Sequence, residues 1–291
     1  MSGALLAASA GVGFGFFQSL NARPVPGFED PYLATLIQVG IATVALTLAA
    51  AVTGELSGIG HAPVSSLGDF AVAGCLHFLA GWSLLNLSQR RIGAARTSPL
   101  LTTVPVFGVA IAAVTLGELP GAIALVAIAL MTLGAYVVAM RGGQQTPRVR
   151  DAAPGLACAL CWALSPVFAR RGLDGFNSPL AALVVGLVVT IMLYVPLYVA
   201  LRGGEWPRLG TGGGLVLKSF VGLLVGLATW TRWEAIDRAP VGVVLALSLL
   251  SVPVVLLLAP VFAGRHLEHV TAGLWAGASL VVGGALILVV A

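Results

Sequence analysis

The sequence predicts an all-α, polytopic membrane protein with ten transmembrane helices, arranged as two inverted five-helix repeats around a central cavity. Composition is the first reason. Of the 291 residues, 58% are hydrophobic and only 9% are charged, against about 25% charged in a soluble protein. The apolar runs are also long and continuous, which favours helices over the alternating strands of a membrane barrel. Finally, one pattern of rare residues occurs twice.

Each span follows from the length of its apolar run, because a membrane-crossing helix needs about 20 apolar residues. The first run has no basic segment and no cleavage site, so it is predicted as a retained span rather than a signal peptide. The first repeat is predicted over residues 1–140, a polar linker over 141–151 and the second repeat over 152–291. The ten predicted spans are residues 3–20, 32–53, 70–88, 93–115, 121–140, 152–169, 179–201, 214–236, 241–263 and 270–291.

The duplication is marked by residue types that are rare in this chain. One spacing of Trp, Arg and Pro occurs first as Trp82, Arg90 and Pro105 and again as Trp230, Arg238 and Pro253 (230 − 82 = 148). Five spans per repeat is an odd number, so the second copy must enter the membrane from the opposite side. Inverted repeats of this kind place a substrate site near the midplane and expose it to each side in turn.

The repeated prolines predict paired bends. Pro105 and Pro253 each lack a backbone donor and would clash with the carbonyl four residues earlier. The hydroxyls of Thr103 and Ser251 are expected to take up the freed carbonyls. Bends at equivalent points of both halves are either hinges or static curvature.

Several functions are excluded by what the sequence lacks. It has no dense basic cluster, so we expect contact with membrane lipid and not with nucleic acid. No cofactor or metal is predicted, because Cys75, Cys158 and Cys161 lie in apolar runs and suit packing. Enzyme motifs and paired intramembrane carboxylates are missing, so an enzyme is not predicted.

Orientation and oligomeric state stay open. Arginines concentrate in the odd-numbered turns, which favours both termini outside. Glycines recur at four-residue spacing, as in Gly11/Gly15, Gly222/Gly226 and Gly273/Gly277. Such pairs let helices approach closely. We expect packing within a monomer, with a dimer as the alternative.

Comparing the halves selects candidate substrate-binding residues, because a polar residue opposite an apolar partner is not explained by the shared scaffold. His77 is the first choice, since it lies mid-span and titrates near neutral pH; the alternative is a histidine bonded to a nearby carbonyl. Two arginines either snorkel to the interface or bind a substrate carboxylate. The polar candidates are His77, Gln18, Arg96, Thr102, Ser248 and Arg232.

Aromatic residues extend this candidate site. Phe14 and Trp162 occupy equivalent positions in the two halves (162 − 14 = 148) and are predicted to line the cavity and favour flat apolar substrates. Ordinary packing is the alternative. Trp82 and Trp230 lie near predicted span ends and suit an interfacial belt.

The segments 90–139 and 238–290 each combine a basic turn, a small-residue helix with a central proline and a glycine-bearing last helix. With Leu116-Gly117-Glu118 between the helices, the sequence resembles the EamA branch of the drug/metabolite transporter superfamily, and within it the bacterial YddG-type exporters of aromatic amino acids. The second copy departs, with Gly264-Arg265-His266 at that turn. The resemblance implies a multi-pass protein of the bacterial inner membrane with cytoplasmic termini, contrary to the arginine count.

These observations predict a transporter that exports small metabolites, including aromatic amino acids, by alternating access. The alternatives are a carrier of drugs or nucleotide sugars and, from another class, a channel or receptor. Counterflow separates a carrier from a channel, because only a carrier accelerates labelled uptake when it is loaded from the other side.

Overall fold

A computed structural model describes residues 2–21, 23, 25, 28–92, 94–141, 149–202, 212–262 and 272–290. The described residues form helices joined by turns, with no strand among them. As predicted, ten helices in this described part of the chain are long and apolar enough to cross a membrane. Their membrane-crossing ranges are α1 Gly3–Asn21, α2 Pro31–Val52, α3 Val64–Ile92, α4 Thr97–Thr115, α5 Ala122–Met140, α6 Arg150–Gly175, α7 Pro179–Leu201, α8 Gly213–Arg238, α9 Val241–Leu258 and α10 Gly273–Val290.

Successive helices cross in opposite directions, which defines two sides. We call side A the side where α1 begins and side B the side where it ends. The connections after α2, α4, α6 and α8 lie on side A, and a short 3₁₀ helix, Glu55–His61, forms part of the first. Helices α1, α3, α5, α7 and α9 end on side B.

Equivalent residues start equivalent helices in the two halves. The Asp30 carboxylate accepts a hydrogen bond of 2.9 Å from the Tyr32 backbone N–H at the start of α2. The Ser178 hydroxyl, 148 residues later, accepts one of 3.4 Å from the Ala181 N–H at the start of α7. In both, proline follows as the first helical residue, where its missing N–H has no cost. The duplication therefore includes the residues that cap the N-termini of α2 and α7.

The packing of the helices confirms the two inverted halves. Helix α1 packs against α8 and α9 of the second half, and its counterpart α6 packs against α3 and α4 of the first. Helix α8 packs against α2, and the equivalent pair, α3 and α7, also pack together. Two helices contact their own counterparts: α5 contacts α10, and α2 contacts α7. Each of these contacts has an equivalent when the two halves are exchanged, as a two-fold axis in the membrane plane requires.

Glycines permit the closest of these contacts. A Cβ at Gly134 of α5 would lie 2.5 Å from the Gly277 carbonyl oxygen of α10. A Cβ at Gly11 of α1 would lie 2.3 Å from the Leu247 carbonyl oxygen of α9. Separations under 3.0 Å exclude a methyl group. Both contacts lie within one chain.

Among the residues that the structure describes, three membrane-crossing helices depart from regular α geometry. In α3, the segment Cys75–Gly81 is a π-helix between two α-helical parts. Helix α4 consists of two pieces, Ala94–Leu101 and Val104–Thr115. Helix α9 is divided in the same region, into Val241–Leu247 and Ser251–Phe262, by a single 3₁₀ turn.

The predicted bends take the form of interruptions. Pro105 and Pro253 both lie in the first turn of the piece that follows the break. A proline in a first turn removes no intrahelical hydrogen bond, so the expected clash does not arise. The Thr103 hydroxyl donates to the Leu100 carbonyl at 2.6 Å, and not to the Leu101 carbonyl that lies four residues before Pro105.

Two helix ends also differ from prediction. Helix α3 begins at Val64 and not at residue 70, and it ends at Ile92. The helix that opens the second half begins at Val149, within the segment predicted as a linker. Residues 142–148 of that segment and the turn of Gly264, Arg265 and His266 lie outside the described residues.

Candidate functional site

Four of the predicted site residues meet where α1, α3, α6 and α8 come together. They form what we call the central cluster, which consists of Phe14, His77, Trp162 and Arg232. Phe14 and Trp162 are equivalent in the two halves, so the cluster lies at the axis that relates them. His77 and Arg232 are 5% and 6% exposed, and they make it polar.

The unusual geometry of α3 places His77. The residue is in the π-helical segment Cys75–Gly81, and such segments often occur at functional sites. The Trp162 indole N–H donates to the His77 carbonyl oxygen at 3.1 Å, and the two rings are stacked 5.6 Å apart. A Cβ at Gly81 would lie 2.4 Å from the indole nitrogen, so only glycine leaves room for Trp162 there.

Arg232 is the one cation of the central cluster. Its Nη2 lies 3.3 Å from Nδ1 and 3.2 Å from Nε2 of His77. Because it is about equally far from both nitrogens, it cannot align with the lone pair of either one. Its guanidinium carbon lies 5.1 Å from the centre of the Phe14 ring, within the range of a cation–π interaction.

No carboxylate neutralises Arg232 among the residues that the structure describes. Its buried Nε has no hydrogen-bond partner there. The ion pairs found join other arginines to other acids, as Arg202 to Asp30 and Arg238 to Glu234. Of the two alternatives for Arg232, snorkelling to the interface does not hold, because α8 continues to Arg238 and the Arg232 side chain is buried against Phe14 and His77.

A row of aromatic residues that sequence analysis did not assign to the site extends from the central cluster. Phe78 packs edge-on against His77 with ring centres 4.7 Å apart. Trp82 packs against Phe17 at 5.4 Å and against Phe78 at 6.1 Å. Trp82 is only 6% exposed, so its predicted place in an interfacial belt is wrong. The extension of α3 to Ile92 moves it away from the helix end.

The other predicted site residues lie apart from the central cluster. Gln18 is exposed and lies one turn from Phe14 on the same face of α1, towards side B. The Ser248 hydroxyl donates to the Val244 carbonyl, and the Thr102 hydroxyl donates to the Pro99 carbonyl. The side chain of Arg96 lies outside the described part of the chain.

Thr102 lines a separate groove between α4 and α5, of about 480 Å³. Most of its lining is apolar, with hydroxyls from Thr102, Thr103, Thr132 and Tyr136. The buried Thr132 hydroxyl has no partner among the described residues. Both walls belong to the first half, so the groove is not the predicted cavity between the halves.

Helices α4 and α9 pack together on side A. The piece Val241–Leu247 is buried at every residue and packs against Val104–Thr115 of α4. Towards side B, Ser251–Phe262 packs against α1, whereas Ala94–Leu101 packs against α3, α5 and α6. Ser98 is exposed although its repeat counterpart Ala246 is fully buried. The two helices therefore converge on side A and diverge towards side B.

Within the described residues, His, Cys, Asp and Glu side chains do not gather in groups of three that could hold a metal. The three cysteines are free thiols, and Cys158 is buried. The central cluster offers one cation, one imidazole and aromatic faces, which are groups suited to binding a ligand rather than to catalysing a reaction.

The sequence matches the EamA-like transporter family over residues 1–140 and again over 153–290. The chain belongs to the EamA-like transporter family. Members of this family, part of the drug/metabolite transporter superfamily, carry small molecules across membranes and are not enzymes. This EamA-like transporter is accordingly a multi-pass membrane protein.

Solved structures share the fold of this EamA-like transporter. One crystal structure superposes with a TM-score of 0.74 at 20% sequence identity, covering 99% of this chain and 95% of the other. At that identity the similarity concerns the fold alone. Among curated proteins, none matches the sequence.

Proposed function

We propose that this EamA-like transporter exports small metabolites that carry a carboxylate, aromatic amino acids among them, by alternating access across the bacterial inner membrane. The observation that carries the proposal is Arg232. It is buried at the junction of the two halves, and no acid pairs with it among the described residues. A buried charge is stable only when it is paired, and a substrate carboxylate would supply the missing partner.

The surroundings of Arg232 suit an aromatic side chain. Phe14 lies under the guanidinium, and Phe78 and Trp162 flank His77 on two sides. Edge-on or offset packing of a substrate ring against such faces contributes about 0.5–1.5 kcal/mol beyond its buried area. Guanidinium and ring faces together match the two ends of an aromatic amino acid.

Purified protein in liposomes tests the carboxylate directly. Labelled phenylalanine is compared with phenethylamine, which has the same ring and ammonium group but no carboxylate. We expect phenylalanine to be transported faster. A charge-assisted hydrogen bond contributes about 1.5–3 kcal/mol, so Arg232→Gln is expected to lower phenylalanine transport about 10- to 100-fold.

Arg238→Gln is the matched control. It removes the same charge from the same helix, but Arg238 is partly exposed and pairs with Glu234 at 2.6 Å. We expect it to transport phenylalanine near the parent rate. A parent protein that does not distinguish the two compounds, or an Arg232→Gln variant that loses both equally, would show that Arg232 does not bind a substrate carboxylate.

A further inference from the structure

A second polar cluster joins the two halves on side A, at some distance from the central cluster. Arg170 of α6 and Glu118, in the turn between α4 and α5, form an ion pair with Nε and Oε1 3.3 Å apart. Glu118 belongs to the first half and Arg170 to the second. We call this ion pair and its backbone partners the side A latch.

Both residues of the latch also bind helix ends. Arg170 Nη1 donates to the carbonyl oxygens of Ile236 and Asp237 at the end of α8, at 2.8 and 2.7 Å. Glu118 Oε2 accepts a hydrogen bond of 2.9 Å from the backbone N–H of Val241, where α9 begins. A cation at a helix C-terminus and an anion at a helix N-terminus are each favoured by the helix dipole.

The local sequence brings Glu118 to this place. Gly117 has φ +69, in the left-handed region that glycine adopts without strain. The chain therefore turns directly after α4 and presents Glu118 to the start of α9. That start is Val241–Leu247, the piece of α9 that is buried at every residue and closes against α4.

The two latch residues are not repeated in the sequence of the other half. At the repeat-related positions, Arg170 is replaced by Ala22 and Glu118 by His266 (170 − 148 = 22; 118 + 148 = 266). Neither residue can form the same ion pair with the other. The ion pair of Arg202 with Asp30 on side B joins α7 to α2, and these helices do not carry the central cluster.

We propose that Glu118 and Arg170 are positioning residues that hold the α4–α9 contact closed on side A. The latch stabilises the state of the carrier in which side A is closed. This inference rests on the alternating access of the proposed function. It adds that the closed state of side A is held by charge, and that opening it exposes both helix ends of the α8–α9 turn.

A cysteine reporter tests the latch without any substrate. Leu245 is 3% exposed and packs onto Gly108 of α4, beneath the latch. Leu245→Cys is treated with a membrane-impermeant maleimide from each face in turn, in intact cells and in inverted vesicles. The chain without the reporter gives the background from the three native cysteines. With the latch intact we expect slow labelling from both faces.

Glu118→Gln should speed labelling of the reporter about tenfold from one face only, as expected for a loss of about 1.4 kcal/mol. Arg171→Gln is the matched control: its partner Asp69 is 3.8 Å away, and it should leave labelling unchanged. Arg170→Lys keeps the positive charge but loses the branched guanidinium group, which contacts two carbonyl oxygens and Glu118 at once. It should therefore increase labelling by less than Glu118→Gln does.

Three outcomes would overturn the latch. They are unchanged labelling in Glu118→Gln, an equal increase in Arg171→Gln, and an increase from both faces, which would indicate a loosened fold. If Glu118→Gln does not fold, Arg170→Lys decides by the same criterion. Labelling requires no transported compound. A failure to transport phenylalanine would therefore contradict the proposed function and leave this result standing.

Discussion

Arg232 matters at the residue scale because nothing in the described part of the chain neutralises it. An arginine at the centre of a membrane helix costs about 2.5–3.5 kcal/mol on insertion scales, and Arg232, six residues before the end of α8, costs at most that much. Its position over the Phe14 ring offsets about 0.5–2 kcal/mol of that. The part of this cost that the Phe14 ring does not offset favours any state in which an anion is bound to Arg232. This free-energy difference can couple substrate binding to the conformation of the two halves.

Trp162 and His77 should contribute to binding in different ways. Trp162→Ala removes a ring face and should weaken phenylalanine transport by about fivefold more than alanine transport, since aromatic packing is worth about 1 kcal/mol. His77→Ala removes the polar group beside Arg232 and should weaken transport of both amino acids. Both variants are measured in liposomes with each labelled substrate.

Trp275→Ala is the control, because this tryptophan is 47% exposed on α10 and should leave both rates unchanged. If Trp162→Ala affected phenylalanine and alanine equally, the preference for aromatic substrates would be contradicted.

Much of the central cluster could be predicted from the sequence. Comparing the halves selects His77 and Arg232 because each is polar where its counterpart, Val225 or Leu84, is apolar. The same comparison also selects Thr102 and Ser248, whose hydroxyls donate to carbonyls of their own helices. Sequence spacing alone cannot distinguish a hydroxyl that satisfies its own backbone from one that faces a neighbouring helix.

Irregular helices determine the geometry at the scale of elements. The π-helical segment of α3 contains His77. It follows Gly74 and ends at Gly81, and at both glycines another helix approaches too closely for a side chain. Such a segment depends on contacts with Gly186 of α7 and Trp162 of α6, so local sequence could not predict it. The early start of α3 has a similar cause: Ser66, near its beginning, is buried and lies against Gly175.

The interruption in α4 should be needed for transport. Pro105→Ala supplies a backbone N–H and allows Thr102 and Thr103 to join the two pieces into one continuous helix. We expect transport to slow several-fold while expression and membrane insertion stay unchanged, because a continuous helix gains about one hydrogen bond, or 0.5–1.5 kcal/mol, over the interrupted form. Pro253→Ala should do the same in α9.

Pro179→Ala is the control for both, since Pro179 also lies in the first turn of its helix but follows no interruption. Transport at the parent rate in both Pro105→Ala and Pro253→Ala would show that the interruptions are fixed features and not hinges.

The whole molecule is held together by contacts between its halves. Helix α5 lies against α10, and Gly134 faces Gly277 at backbone distance. Composition and an odd number of spans per repeat sufficed to predict the two-fold arrangement. The convergence of α4 and α9 on side A could not be predicted in this way, because two equivalent helices differ only in which neighbours they contact.

The α5–α10 contact should not tolerate a methyl group. Gly134→Ala forces the two backbones apart and should reduce stability by about 1–3 kcal/mol, as overpacking generally does. Thermal unfolding in detergent measures this as a melting temperature lower by several degrees. Gly283→Ala on α10 has open space around it and should not lower the melting temperature. Equal melting temperatures for the two variants would contradict the close contact.

The exchange of α1 between the halves has a consequence for biosynthesis. Helix α1 ends at Asn21, while its partner α8 begins at Gly213, so roughly 190 residues separate their synthesis. At about 5–20 residues per second, α1 waits in the bilayer for roughly 10–40 s without its final neighbours. An uncharged helix can wait in lipid at little cost. Arg232, which packs over Phe14, is synthesised later as part of α8. By then α1, α3 and α6, which carry Phe14, His77 and Trp162, have already been made and can surround its charge.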